Sequence, residues 1–310
     1  TLDLANFALT LDDNMSRLSI AQPVTLDAAG EQIVTGAADL SLNGGISATA
    51  GTLSSSGGTV SASSLSAGAA GIINFQGGTL GLPGGATLAS GASFSTSNTT
   101  LNLGGLLDVA DTWTSPSTSI SLTDNASLSS TVLLSLATLD TNGHDLMLAS
   151  ATSDLKITEG ITINYAGFGG LNSGEADLTL NGSVNVLYGG ILSSGGTVTF
   201  GAGSSGASFS EENSGILLED TTFVLQTALD LPYLELSGTS SIQTYGNTLS
   251  LGDLEIGVQN ELDLTNVVTD NESGLRLIGN SAITKTGALV FKEIGLNGYT
   301  LTLNPAITGL

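Results

Sequence analysis

Carboxylates are the only reactive side chains that the sequence supplies in quantity. The 310-residue chain has 28 Asp and Glu against 5 Lys and Arg, with one His and no Cys. Oxygen-rich acidic turns suit a hard cation such as Ca²⁺, and three turns offer them: Asp12 and Asp13, Asp124, and Asp270 with Glu272. The sequence lacks the EF-hand spacing, and solvated acidic loops explain the same residues. No cofactor is therefore predicted, and Ca²⁺ is kept as the alternative.

Paired carboxylates could also cleave glycosidic bonds, which needs two acidic groups on either side of the scissile bond. The pairs are Glu211–Glu212, Glu219–Asp220, Asp253/Glu255 and Glu261/Asp263. The outward positions of an acidic repeat protein collect carboxylates whatever its role. Lyase chemistry would also want a nearby base, and the five cations are dispersed along the chain. We predict that the protein is not an enzyme and that it has no catalytic residues.

Other chemistries fit the sequence less well. His144 is the only histidine, which rules out a multi-histidine metal site, and we expect it at a solvated turn. The spacing of Gly201, Gly203 and Gly206 matches a dinucleotide fingerprint, but the following residues alternate like a strand instead of opening a helix. A net charge of −23 disfavours nucleic acids and anionic membranes. No stretch approaches the roughly 20 apolar residues of a membrane-spanning helix.

The elements that would position these groups are short strands. Apolar and polar residues alternate throughout, as in Leu101-Asn-Leu103 and Leu249-Ser-Leu251, whereas helical spacing is not sustained anywhere. Alternate side chains of a strand point to opposite faces, so we expect the leucines to face inward and the polar residues outward. The sequence therefore predicts an all-β protein.

These apolar positions return at nearly fixed steps along the chain. In the first half the step is about 20 residues, and in the second half it is about 26 residues, both within the range of known structural repeats. The first series is Leu40, Val60, Leu80, Leu101 and Ile120, and the second is Phe223, Leu249, Leu275 and Leu301. Such periods are typical of solenoids, in which each turn, or rung, buries its apolar face only against its neighbours.

The turns between strands recur as well. Gly57-Gly58-Thr59-Val60 and Gly77-Gly78-Thr79-Leu80 are near copies, and glycine suits corners that need a positive φ. We predict a right-handed parallel β-helix of about thirteen turns with ~20- to 26-residue rungs, and a β-sandwich as the alternative. Residues 1–310 are predicted to form a single domain, with shorter rungs over about 1–142 and longer ones over about 143–310. Trp113 is expected to pack within an irregular excursion over residues ~106–119.

The acidic, Cys-free rungs contain turns such as Asn142-Gly143-His-Asp-Leu146 and Asn297-Gly298-Tyr-Thr-Leu301. In composition and in these turns, the rungs resemble the β-helical passengers of bacterial surface proteins, such as autotransporter adhesins and filamentous haemagglutinin-like proteins. The resemblance implies export to the cell surface or the extracellular space, and a structural or adhesive role.

We therefore predict a non-enzymatic extracellular structural protein, a filament subunit or adhesin stalk. The alternatives are a carbohydrate-binding or carbohydrate-cleaving β-helix and a calcium-dependent surface-layer module. Both termini, Thr1–Leu4 and Leu301–Leu303, look like rungs and not like caps. We expect them to pair head-to-tail with other copies or with flanking rungs of a longer chain. Surface glycans are a further candidate partner, and neither nucleic acid binding nor membrane insertion is predicted.

Overall fold

The computed structural model describes residues 4–11, 17–111, 113–115, 117–149, 154–165, 170–210, 214–257, 259–269, 273–285 and 288–303. Over these residues the regular structure is β-strand, apart from one short 3₁₀ turn at Ala202–Ser204. Parallel strands stack into a β-solenoid of about 13 turns, which confirms the predicted fold class. No helix in the described ranges is long and apolar enough to cross a bilayer. Contacts divide the chain into two compact units, Thr1–Leu155 and Lys156–Leu310.

The strands of the first unit are short and closely spaced. They are β1 Ala8–Thr10, β2 Arg17–Ile20, β3 Val24–Leu26, β4 Gln32–Val34, β5 Asp39–Leu42, β6 Ile46–Ala48, β7 Thr52–Ser55, β8 Thr59–Ala62, β9 Leu65–Ala67, β10 Ile72–Phe75, β11 Thr79–Leu82, β12 Ala86–Leu88, β13 Ser93–Thr96, β14 Thr100–Val109, β15 Trp113–Thr114, β16 Ser119–Ser130, β17 Leu134–Asp140 and β18 Leu146–Leu148.

The strands of the second unit follow, and the first of them starts on the last residue of the first unit. They are β19 Leu155–Asn164, β20 Gly170–Asn172, β21 Leu178–Leu180, β22 Ser183–Tyr188, β23 Gly190–Ser193, β24 Thr197–Phe200, β25 Ser208–Phe209, β26 Gly215–Glu219, β27 Thr222–Leu225, β28 Leu229–Ser237, β29 Ser241–Gln243, β30 Leu249–Ile256, β31 Gln259–Asp263, β32 Val267–Val268, β33 Gly274–Leu277, β34 Ser281–Thr284, β35 Glu293–Gly295 and β36 Leu301–Leu303.

Each rung of the first unit contributes strands to three parallel stacks. One stack contains β2, β5, β8, β11, the start of β14, the start of β16, and the end of β17. The second contains β3, β6, β9, β12, the later parts of β14 and β16, and β18. The third contains β1, β4, β7, β10, β13 and β15.

The predicted inward column of the first half is confirmed residue by residue. Direct parallel partners follow one another in the order Leu40, Val60, Leu80, Leu101 and Ile120. All five side chains are buried, while the residues between them on each strand face outward. Burying one such aliphatic side chain contributes roughly 1.5–3 kcal/mol, so the stacked columns provide the core of this unit.

Trp113 packs as predicted, but several described residues of the irregular excursion expected around it form regular strands. Residues 106–109 belong to β14, and Trp113 in β15 pairs in register with Phe94. The two rings lie 5.1 Å apart, and the indole Nε1 donates a hydrogen bond to Thr96 Oγ1 at 2.8 Å. The indole therefore fills a rung from inside, because its one polar atom finds a partner there. Pro116 lies outside the described residues.

The constant 26-residue step predicted for the second half is wrong, because the leucines that it connects are not paired with one another. Leu249 pairs with Leu229 and Val267, and Leu275 pairs with Leu254 and Ile294. Leu301 pairs with Ser281 in a separate three-stranded sheet. The three leucines thus lie in three different stacks, because the longer step adds one strand and corner to a rung of about 20 residues.

The recurrent turns have the backbone conformation that the glycines predict. Gly143, Gly246 and Gly298 have φ of 87°, 83° and 86°. The residue before each also has a positive φ, and at two of the three turns that residue is an asparagine, Asn142 or Asn297. Their side-chain amides donate to the carbonyl of the residue 20 positions earlier, at 3.1 and 2.9 Å. Asparagine therefore tolerates the corner geometry and also joins successive rungs.

Candidate functional site

The predicted calcium residues lie largely outside the described part of the chain. This applies to Asp12, Asp13, Asp270 and Glu272. Asp124 is described; it is exposed, and its Oδ1 accepts the backbone N–H of Asn125 at 2.7 Å. Among the described residues, no group of three or more His, Cys, Asp or Glu could hold a metal ion. Calcium binding stays a prediction for the three acidic turns.

Several outward carboxylates have a structural contact, which we call a clamp. In a clamp the side-chain oxygen accepts the backbone N–H of a residue 19 to 21 positions further on, in the next rung. The acceptors are Asp39, Asp177, Asp220 and Asp253, at 2.7, 2.7, 2.7 and 2.8 Å. Asn125 and Asn280 form the same contact with an amide oxygen, at 3.0 and 2.9 Å.

The proposed catalytic pairs are only partly brought together. Asp253 and Glu255 face outward from the same strand, β30. Asp220 forms a clamp, and Asp263 Oδ1 accepts the N–H of Thr265 at 2.8 Å. Glu211, Glu212 and the side chain of Glu261 lie outside the described residues.

One groove of about 440 Å³ lies on the outward side of β28, β30, β33 and β35, around the Asp253/Glu255 pair. It is formed by two neighbouring columns of directly paired residues. One column contains Glu255, Arg276 and Gly295, and it continues to Glu235 beyond the lining of the groove. In the other, Tyr233 pairs with Asp253 and Gly274 pairs with Glu293. Asn297 closes the groove at the following corner.

Glutamates stack at the edge of this groove. Glu235 and Glu255 are direct partners on neighbouring strands, and like charges in that position repel. The Tyr233 hydroxyl lies 3.1 Å from Glu235 Oε2 and 3.4 Å from Glu255 Oε2. Arg276 Nη1 lies 3.5 Å from Glu255 Oε2. Burial, followed by the charges of the two glutamates, raises the pKa of Tyr233, so the phenol keeps its proton and remains a donor.

Two glycines lie in the floor of the groove, and only one of them leaves open space. A Cβ atom on Gly274 would lie 2.8 Å from Asp253 Oδ1, whose clamp occupies that space. A Cβ atom on Gly295 would meet only the carbonyl of Leu275, at 3.8 Å. The groove therefore has room above Gly295, beside the long side chain of its direct partner Arg276.

Other candidate features are structural. A larger groove of about 670 Å³ is lined by Phe209, Asp230 and Val268, among other residues. The glycine-rich segment from Gly201 leads into the 3₁₀ turn and then into β25, and not into an α-helix, as its alternation predicted. His144 lies at a corner, where its backbone N–H donates to the Thr141 carbonyl at 2.8 Å.

Each unit buries one ionisable side chain among its described residues. The carboxylate of Glu31 accepts backbone N–H groups of Asp27, Ala28 and Asn6 at 2.6, 3.1 and 3.4 Å. The Ala28 hydrogen bond is the main reason that the pKa of Glu31 is lowered. Lys285 is 7% exposed, and its Nζ donates to the Val267 carbonyl. Burial lowers the pKa of Lys285.

Sequence reasoning named Asp253 and Glu255 but missed Tyr233, Glu235 and Arg276. The signal was present, because Glu235, Glu255, Arg276 and Gly295 follow one another as direct partners on successive strands. Their spacing is the same short step of about 20 residues that organises the first half. The 26-residue step instead aligned Arg276 with Ser250 and Thr302, which hid its pairing with Glu255 and Gly295.

Comparisons with known proteins leave the function to be argued from these sites. No protein-family model, no curated protein and no solved structure matches the chain.

Proposed function

We propose that this protein is a non-enzymatic structural protein of the cell surface or extracellular space, a filament subunit or adhesin stalk. The clamps are the observation that carries this proposal. Asp39, Asp177, Asp220 and Asp253 each hold the next rung by its backbone. A carboxylate engaged in this way reinforces the stack and is less available for chemistry.

The last described rung supports pairing with further rungs. In the described residues β35 pairs with β33, and β36 pairs with β34. Ile294 continues the buried column of Leu254 and Leu275 but is 40% exposed. A following rung, from a second copy or from a longer chain, would cover it and satisfy the strand edge. Of the other expected pairing segment, Thr1–Leu4, only Leu4 is among the described residues, and it precedes β1.

The test is the association state of the whole chain over a wide concentration range, by sedimentation velocity and negative-stain electron microscopy. We expect concentration-dependent oligomers or fibres, because a heterologous contact that does not close produces open assemblies. Ile294→Asp should abolish them. The control is Leu106→Asp, because Leu106 has a similar exposure of 43% but lies in β14 of the first unit. A parent chain that stays monomeric throughout, without fibres, contradicts self-association.

The non-enzymatic part of the proposal has its own test. Purified protein incubated with neutral and acidic polysaccharides should release no new reducing ends or unsaturated products. Reproducible release that disappears in Glu255→Gln would overturn it and support the carbohydrate-cleaving alternative. The calcium-dependent surface-layer alternative depends on the three acidic turns, and calcium titration tests it.

A further inference from the structure

We infer that the groove above Gly295 binds a neutral carbohydrate. This inference does not depend on the proposed structural role, because a structural protein can bind a sugar on its outer surface or lack such a site. It depends on a cavity whose lining combines acceptors, donors and an aromatic ring. The volume of about 440 Å³ is at the small end of ligand sites, which suits about one or two sugar rings.

The polar groups of the groove match vicinal hydroxyls, which donate and accept hydrogen bonds at once. Asp253, Glu255 and Glu293 supply carboxylate acceptors in the lining of the groove. Arg276 supplies donors; its side chain is 65% exposed and its ion pair with Glu255 is a single contact at 3.5 Å. A guanidinium has five N–H groups in a planar fork. A diol lying between Arg276 and the carboxylates can satisfy both.

The shape of the groove favours a ring with a flat apolar face. Tyr233 is half-buried, and its hydroxyl is held at the two glutamates, which fixes the ring at the edge of the groove. Amphipathic aromatic side chains present an apolar body beside a polar tip. The glycine floor lets a ligand approach the backbone closely.

The charge of the groove disfavours anionic ligands. The groove has three carboxylates, Asp253, Glu255 and Glu293, and one cation, Arg276. With a net charge of −23 on the whole chain, phosphates and acidic polysaccharides are repelled. A polyamine is the competing ligand, and salt distinguishes the two, because added salt weakens binding of a cation but not of a neutral sugar.

The chain supplies a blocking variant and a matched control. Gly295→Gln should fill the groove without strain, since a Cβ atom there has space and the φ of Gly295 is not positive. Gly81→Gln places the same side chain on an outward strand position of the first unit. A Cβ atom on Gly81 would meet Ser61 at 3.4 to 3.7 Å, an ordinary contact. Melting curves of both variants should match the parent.

The experiment is saturation-transfer NMR and calorimetry with neutral trisaccharides of glucose, galactose, mannose and N-acetylglucosamine, with spermidine and trigalacturonate as charged probes. We expect a neutral trisaccharide to bind the parent equally well in low and high NaCl. Gly295→Gln and Arg276→Ala should each weaken it about tenfold or more, as loss of one or two charge-assisted hydrogen bonds would, and Gly81→Gln should leave it unchanged. Three outcomes overturn the inference: no trisaccharide binds; binding persists in Gly295→Gln; or only a charged probe binds.

Discussion

Outward columns of directly paired residues have opposite characters in the two units. In the first unit, one outward column consists of the small residues Ser41, Ser61, Gly81, Asn102 and Ser121. In the second unit, the groove column consists of Glu235, Glu255, Arg276 and Gly295. Both contain a glycine, but only Gly295 stands beside long charged side chains. An outward glycine therefore gives a flat surface or a groove according to its neighbours in the column.

The units also differ in how they accommodate a buried ion. Glu31 in the first unit has several backbone N–H groups as donors, so its charge is stabilised where it lies. Lys285 in the second unit donates to a backbone carbonyl, that of Val267. Hydrogen bonds to the charged form favour it, whereas desolvation disfavours it. Hydrogen bonds therefore favour the charged form of Glu31, whereas burial disfavours the charged form of Lys285.

The largest expected effect tests what the units share, the inward columns. Leu80→Asp and Leu254→Asp should each lower the free energy of unfolding by about 3–5 kcal/mol, because an unpaired charge would enter an apolar stack. Ser61→Asp and Ser250→Asp, both outward, should change it by less than about 0.5 kcal/mol. Urea unfolding followed by circular dichroism measures all four. Comparable losses for inward and outward variants would show that the facing is misassigned.

A smaller effect of opposite sign is expected at Lys285. Lys285→Met should raise the free energy of unfolding by about 1 kcal/mol or more, because an apolar side chain of similar length removes the desolvation cost. Lys292→Met is the control, since Lys292 is exposed. Thermal and urea melts at neutral pH measure the change. Destabilisation by Lys285→Met would show that the ammonium contact with Val267 outweighs its desolvation.

Glu31, the buried acid of the first unit, should make the free energy of unfolding depend on pH. The folded-state pKa of Glu31 is lowered, so its contribution is fully present above the ordinary glutamate pKa of about 4.3 and is lost as the pH falls through the lowered value. Glu31→Gln should reduce stability at pH 7 and flatten the acid limb of a stability profile. Exposed Glu159→Gln should leave that limb unchanged. An unaltered acid limb in Glu31→Gln would remove Glu31 as its origin.

The clamps should be alike in both units. Asp39→Ala and Asp177→Ala should each cost about 1 kcal/mol, the usual net value of one hydrogen bond. Asp39→Asn and Asp177→Asn should be close to neutral, because Asn125 and Asn280 already form clamps. Chemical denaturation of the four variants tests this. A loss in the Asn variants equal to that in the Ala variants would mean that charge, and not the hydrogen bond, matters.

The smallest expected effect concerns the net charge. Stability should rise by a few tenths of a kcal/mol with added NaCl, because like charges are screened within about 8–10 Å at physiological ionic strength.

Millimolar CaCl₂ compared with NaCl of equal ionic strength tests the acidic turns, with Asp13→Asn, Asp124→Asn and Asp270→Asn as variants. Identical melts in the two salts would remove calcium binding.

Sequence alone predicted the fold class, the inward leucines and the first-half register, because one short repeat period recurs there with little variation. The register predicted from the sequence is wrong in the second unit, where the rung length varies. Register steps of the second unit range from 18, between Ile216 and Leu234, to 25, between Ile191 and Ile216. Since Leu-x-Leu pairs occur in more than one stack, a constant interval can connect different stacks. Tyr233 and Arg276 could not be placed together without the correct register.

The near-identical corners at Gly57–Gly58 and Gly77–Gly78 make one rung interchangeable with the next. Removing residues 57–76 would join Ser56 to Gly77 and bring Leu80 beside Leu40, in the place that Val60 now occupies. β7 would meet β13, and β6 would meet β12, so all three stacks would close again. The length of this protein can therefore change by whole rungs through recombination between repeats, without a new fold having to evolve.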